Sequence, residues 1–205
     1  AARAVTKNPV VELLGPETQT LLEQGELREA SRRIETRLNN EWDNHKLHDQ
    51  YLRILAVDNQ DQALADHTAR YLPKLVSERR LYRAVEIYEA CAKKVPDWVL
   101  RDGNLVLPLA QQAAEMNRPN TALALVKGFD RRYPGHRDIP SVYMVAGKVL
   151  MEHLHQYDAA RRIFAAILEK YAGERICVDA ERFQAMCDGM LAKTAAAPSG
   201  PRPTP

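Results

Sequence analysis

Apolar residues in this chain recur at spacings of three and four, and the spacing itself repeats. Ala84, Ala122 and Ala160 stand 38 residues apart, and their neighbours keep step: Ile87, Leu125 and Ile163, then Tyr88, Val126 and Phe164, then Cys91, Phe129 and Ile167. Val95, Tyr133 and Tyr171 come next, with Pro96 and Pro134 closing the first two units. Offsets of 3, 4, 7 and 11 from the alanine lie on one face of a helix, so the pattern predicts three equivalent amphipathic helices. A small residue at a helix crossing lets two backbones approach, while larger side chains one and two turns later fill the groove beside it. The proline then ends the helix. Alternating runs that would signal strands are few.

A partial unit lies upstream in QGELREASRRIETRL, where Gly25, Leu27, Ala30 and Ile34 repeat the turn-plus-helix pattern. Ala30 and Ala84 are 54 residues apart, which is not a multiple of 38, so the helices predicted over 42–57 and 61–79 form a junction out of phase. A terminal helix over 178–191 is expected to shield the last apolar face, as stacked repeats require.

The stretches LYRAVEIYEACAKKVP, PNTALALVKGFDRRYP and YDAARRIFAAILEKYA resemble the tetratricopeptide repeat family, whose second helix carries a small residue, a large one four later and a closing proline. The resemblance covers 66–172 well and 13–40 weakly. It implies an all-α fold, a right-handed α-solenoid of antiparallel helix pairs with about nine to ten helices. The family period is about 34 residues, so a spacing of 38 implies roughly four more per unit, placed in loops such as 97–104 and 135–140. Gly147 is the one glycine at its aligned place in the first helices. The resemblance further implies a partner-binding groove on those first helices, at Asn104, Leu107, Gln111 and Glu115 in one unit and Val142, Val145, Val149 and Glu152 in the next. Some members clamp a terminal carboxylate there with lysine, asparagine and arginine. Here leucine, proline or valine occupies several of those places, so a helix or an extended apolar peptide suits the surface better.

Composition narrows the partners. The chain has 205 residues, 45% of them apolar, 27% charged, and only nine glycines, as expected of a folded domain or short repeat array. Its 29 basic and 27 acidic side chains are interspersed and leave a net charge of +2, too weak a field to favour nucleic acid. Paired basic residues such as Arg131-Arg132 and Arg161-Arg162 are each offset by nearby acids. Cys91, Cys177 and Cys187 are an odd number without a close pair, which points away from a disulfide framework and toward a reducing compartment. Apolar runs such as 163–168 are too short to span a bilayer, which takes about 20 residues.

Candidate chemistry is sparse. In EWDNHKLHD, Glu41, His45, His48 and Asp49 can share a helix face, and His67 can join from a neighbouring helix. Two histidines three apart with a carboxylate are compatible with zinc, but no HExxH pattern supplies a general base, so no metal is assigned. Cys91 occupies the slot that Phe129 and Ile167 fill in later repeats, which gives it a packing role. No nucleophile elbow or phosphate-binding glycine loop is present.

The sequence therefore predicts an N-terminal extension over 1–8, a helical repeat domain over 9–193, and a proline-rich disordered tail over 194–205. The expected role is a non-catalytic scaffold that binds a protein or peptide without a cofactor, in the cytoplasm or as a cytoplasmic domain of a larger protein. The alternative is a self-associating structural or regulatory domain of a larger, membrane-attached protein, since a chain opening Ala1-Ala2-Arg3 has the look of a processed or excised piece.

Overall fold

The computed structural model describes residues 14–196; the expected extension over 1–8 and the tail beyond residue 196 lie outside them. Among the described residues there are eleven α-helical segments and no strand. They are α1 (Pro16–Glu23), α2 (Leu27–Leu38), α3 (His45–Val57), α4 (Asp61–Ser77), α5 (Leu81–Lys94), α6 (Val106–Glu115), α7 (Pro119–Val126), α8 (Phe129–Arg132), α9 (Ile139–Glu152), α10 (Tyr157–Lys170) and α11 (Ile176–Ala196). A short 3-10 turn, Gly103–Leu105, precedes α6. The described residues form two compact units, 14–71 with 90–98 and 72–89 with 99–196, a division that falls inside both α4 and α5.

One local device recurs at the helix reversals. Gly25, Arg79, Asn117 and His155 have φ of 79, 59, 56 and 53°, and a fully buried alanine (Ala30, Ala84, Ala122 or Ala160) stands five residues after each. A left-handed residue just past a helix end stops the helix and lets the next amide reach back to an orphan carbonyl. Glu26, Arg80 and Arg118 do so, their N–H groups donating to the carbonyls of Leu21, Leu75 and Ala113 at 2.8 Å. The other repeat positions are buried as the pattern requires, apart from Ile163 and the closing Val95, Tyr133 and Tyr171, which are half-buried.

The phase slip has a physical cause. The 54 residues from Ala30 to Ala84 exceed the period by 16, and α3 together with its turn through Gln60 is 16 residues long. α3 is an additional helix with the same kind of turn: Asn59 has φ 53° and Gln60 N–H donates to the Leu55 carbonyl at 2.9 Å. Buried Leu64 then stands where the other units have alanine.

In the second unit α9 is central, packing on α6, α7, α8, α10 and α11. Gly147 makes its contact with α10 possible, because a Cβ there would lie 2.5 Å from the buried Phe164 ring. Phe164 in turn stacks on Phe183 of α11, with centroids 5.6 Å apart. α7 and α8 are one helix broken at Lys127 and Gly128, so the repeat helices number ten when these two are counted together. The Arg132 guanidinium covers carbonyls freed by the break, donating to Leu125 at 2.7 Å and Lys127 at 2.9 Å. α11 begins two residues before the predicted 178 and continues past 191, so residues 194–196, expected in the tail, are helical.

Two substitutions test these contacts in opposite directions. Gly147→Ala gains helix propensity but drives a methyl into an enclosed ring, and should destabilise by roughly 1–3 kcal/mol. Arg79→Gly removes a left-handed penalty at an exposed turn and should stabilise by about 0.5–1 kcal/mol after the entropy of the unfolded glycine is counted. Urea unfolding midpoints read both.

Candidate functional site

A cleft of about 920 Å³ lies within the second unit. Three elements line it: Gln111, Ala114 and Glu115 from α6, a ridge of Ser141, Met144, Lys148 and Glu152 along α9, and Arg175, Ile176 and Asp179 where α11 begins. Val145, Val149 and His153 complete the lining. Residues at offsets of three and four share a helix face, which is why the α9 ridge points one way.

The geometry orients the cleft. His153 Nδ1 lies 3.1 Å from Asn117 Oδ1, which joins the residues just past the ends of α9 and α6. The two helices are therefore parallel there, with Glu115 and Glu152, the last residue of each, at the same end. Two tight reversals then bring α11 back parallel to α9, and the Lys148 ammonium sits 5.5 Å from the centre of the Phe183 ring.

The cleft brings together five of the expected groove residues: Gln111, Glu115, Val145, Val149 and Glu152. Asn104 and Leu107 do not line it. Asn104 is exposed in the 3-10 turn, where its amide donates to Asp102 Oδ1 at 2.9 Å, and Leu107 is half-buried in the first turn of α6. Val145 and Val149 are only 8% and 1% exposed, and Val142 is buried as well, so these valines belong mainly to the helix contacts beneath. The side chains that face the opening lie one residue earlier, at Ser141, Met144 and Lys148. That offset of one residue, about 100° of helix rotation, separates the expected stripe from the observed one. The stripe's i, i+3, i+7 spacing was visible in the sequence; the contribution of α11 was not, because the end helix read only as a shield.

The histidine candidates sit in the first unit. His48 and His67 are buried, and His48 Nδ1 lies 2.9 Å from His67 Nε2 while His48 Nε2 lies 2.8 Å from the Trp42 carbonyl. That carbonyl can only accept, so a neutral His48 donates through Nε2 and accepts from the His67 Nε2–H. Tyr71 stacks on His48 at 3.8 Å, Trp42 meets it edge-on at 4.7 Å, and His45 Nδ1 contacts the Tyr71 hydroxyl at 2.7 Å. Glu41 turns elsewhere, bonding Asn44 and Arg37, which together hold its carboxyl below the usual range. Two nitrogens bound to one tetrahedral zinc would stand about 3.3 Å apart with both lone pairs on the ion, whereas here the pair shares a proton. Among the described residues no group of three or more His, Cys, Asp or Glu is placed to hold a metal. The cysteines are free and buried; burial pushes the Cys91 and Cys187 thiols up, and Cys177 donates to the Tyr171 carbonyl at 3.0 Å.

The register, the alanine crossings and the turn closures make the fold tetratricopeptide-like, and among the described residues no helix is long and apolar enough to cross a membrane. No family model and no curated protein matches the chain. Solved structures similar to it include YrrB, described as a tetratricopeptide repeat protein with an unusual peptide-binding site, at 14% identity over 89% of this chain and 100% of that one, with a TM-score of 0.42. A tetratricopeptide repeat protein from Parabacteroides merdae matches at 12% identity over 92% of this chain and 76% of its own, with a TM-score of 0.40. PilF from Pseudomonas aeruginosa matches at 14% identity over 88% of this chain and 90% of its own, with a TM-score of 0.36.

The buried histidine pair predicts a pH dependence of stability. Burial first, then His48 and Arg70, push the His67 imidazole from its ordinary 6.5 down to about 3. The unfolded chain thus takes up a proton that the folded chain refuses. Stability is complete above about pH 6.5 and is lost as pH falls toward 3, with a limiting slope of about 1.4 kcal/mol per pH unit. In His67→Gln, whose amide can still donate to His48, urea unfolding between pH 7 and 4 should show a slope smaller by that amount.

Proposed function

We propose that the cleft of the second unit is a docking groove for a peptide segment of another protein, and that the chain acts as a scaffold without chemistry of its own. One observation carries this: a single cleft combines an apolar floor with a rim of ionic groups, and none of those groups forms an ion pair with another described residue. Met144 and Ile176 supply apolar surface over the buried Val145 and Val149, while Glu115, Glu152, Asp179, Lys148 and Arg175 ring it. Elsewhere on the same unit charges pair readily, as Glu89 does with Arg118 and Asp158 with Arg162 at 2.7 Å. Apolar surface with a few convergent polar groups is how binding sites combine affinity with specificity.

The ridge from Ser141 to Glu152 spans 11 helical steps, about 16 Å at the helical rise, which matches about five residues of extended chain. A segment of that length is a peptide-sized ligand.

A photo-crosslinking residue tests the groove in the native cell. Placed at exposed Gln111 it should form an adduct with another protein, and placed at exposed Arg162 of α10, away from the cleft, it should not. No adduct from position 111, or equal adducts from both, counts against docking in the cleft. Charge at Val149 is unsuitable as a probe, because that side chain is core.

Self-association is the second reading, favoured by Val178 and Met186 of α11, which are 69% and 51% exposed. Light scattering at micromolar concentration decides it: a monomer removes self-association from consideration.

A further inference from the structure

We infer that the segment this groove accepts carries a lysine or arginine seated between Glu115 and Glu152, with apolar residues next to it along the α9 ridge. This rests on the docking function proposed above and adds the chemistry of the occupant.

The inference starts from helix ends. Glu115 is the last residue of α6 and Glu152 the last of α9, and neither helix has a basic residue in its last turn. The C-terminal end of a helix carries a partial negative charge, so a carboxylate there is disfavoured and a cation favoured. Two parallel helices ending side by side, held by the His153 to Asn117 contact, bring two such ends and two carboxylates to one end of one cleft. Both glutamates are exposed, and neither forms an ion pair with another described residue.

The obvious internal partner is turned away. Lys148 stands four residues before Glu152, a spacing that supports ion pairs on a helix. Its ammonium lies over the Phe183 ring instead. The acidic end is therefore left without a cation, while Lys148, Arg175 and Asp179 share the other part of the cleft. A ligand cation at the acidic end answers the carboxylates and both helix ends together, and the half-buried Met144 and Ile176 receive the ligand's apolar side chains.

The test uses the full chain and three fluorescein-labelled eight-residue peptides sharing a six-residue alternating leucine and serine stretch, preceded by two lysines, two aspartates or two serines. In fluorescence anisotropy at low salt, the lysine peptide should bind about tenfold tighter than the serine peptide, with the aspartate peptide weakest. The double variant Glu115→Gln with Glu152→Gln should erase that preference by weakening the lysine peptide to the level of the serine peptide, without lowering the melting temperature. Raising ionic strength from about 0.05 to 0.5 M should reduce the preference in the parent, as screening of exposed charges demands. If all three peptides bind alike, or the double variant keeps the preference, the assignment of a cation to this end is overturned while docking in the groove stands. If none of the three binds at several hundred micromolar, docking in the groove fails as well.

Discussion

Where two helix backbones come close enough for an alanine to be the largest residue that fits, the rest of each repeat has little freedom. The turn before the alanine must be short and must close on itself, and here it does so through a left-handed residue five positions earlier, at Gly25, Arg79, Asn117 and His155. Only the first of these is glycine, so at the others a side chain is held in a conformation that costs about 1–2 kcal/mol. The closure persists because the next amide would otherwise leave the carbonyl of the preceding helix unpaired. The larger residues at offsets of four and seven then pack into grooves whose depth the alanine has already set. Gly147 extends the rule from the second helix to the first: no side chain at all fits where Phe164 lies against α9.

The added helix α3 shows what happens when a helix enters without the alanine. Leu64 stands at the proper offset after the Asn59 turn, yet a leucine cannot allow the same approach. The first unit instead fills the space between α3 and α4 with rings, Trp42, His48, His67 and Tyr71, whose planes and protons must fit one another. Such a layer is more demanding than an aliphatic one, since each buried nitrogen needs a partner of the right kind. It also makes this layer of the first unit sensitive to acid, where the aliphatic crossings of the other repeats are indifferent.

The repeat was legible in the sequence because it is a matter of periodicity, and the residues at its twelve principal positions are buried or half-buried. The junction was visible only as a lost phase. Its cause, one helix of about the expected length, has no signal other than its length, and the spacing of His45 and His48 in EWDNHKLHD, which suits a metal, does not reveal that His48 pairs with His67 of the next helix. The lining of the cleft was legible in part. Counting from the alanines reached Gln111, Glu115 and Glu152, but on α9 it tracked the valines, and valines are what a helix buries. Arg175, Ile176 and Asp179 lie where α11 begins, one 38-residue period after α9, with buried Ala180, Phe183 and Cys187 following Val142, Val145 and Val149; the expectation of a shielding end helix assigned them no part in the cleft.

Helix-end electrostatics connect the fold to the groove. The alanine crossings alternate helix direction, so each first helix runs parallel to the next and like ends gather on one side of the unit. In most helices this is harmless, because basic residues in the last turn, such as Lys170 of α10, answer the partial negative charge. α6 and α9, like α1, end on glutamate instead. Nothing in the packing of α6 or α9 requires that choice: Glu115 and Glu152 are exposed and contribute no ion pair to the unit. A lysine at either place would suit the helix better. In the proposed docking, a cation of the occupant placed between the two helix ends would supply the contact that these two glutamates lack within the chain.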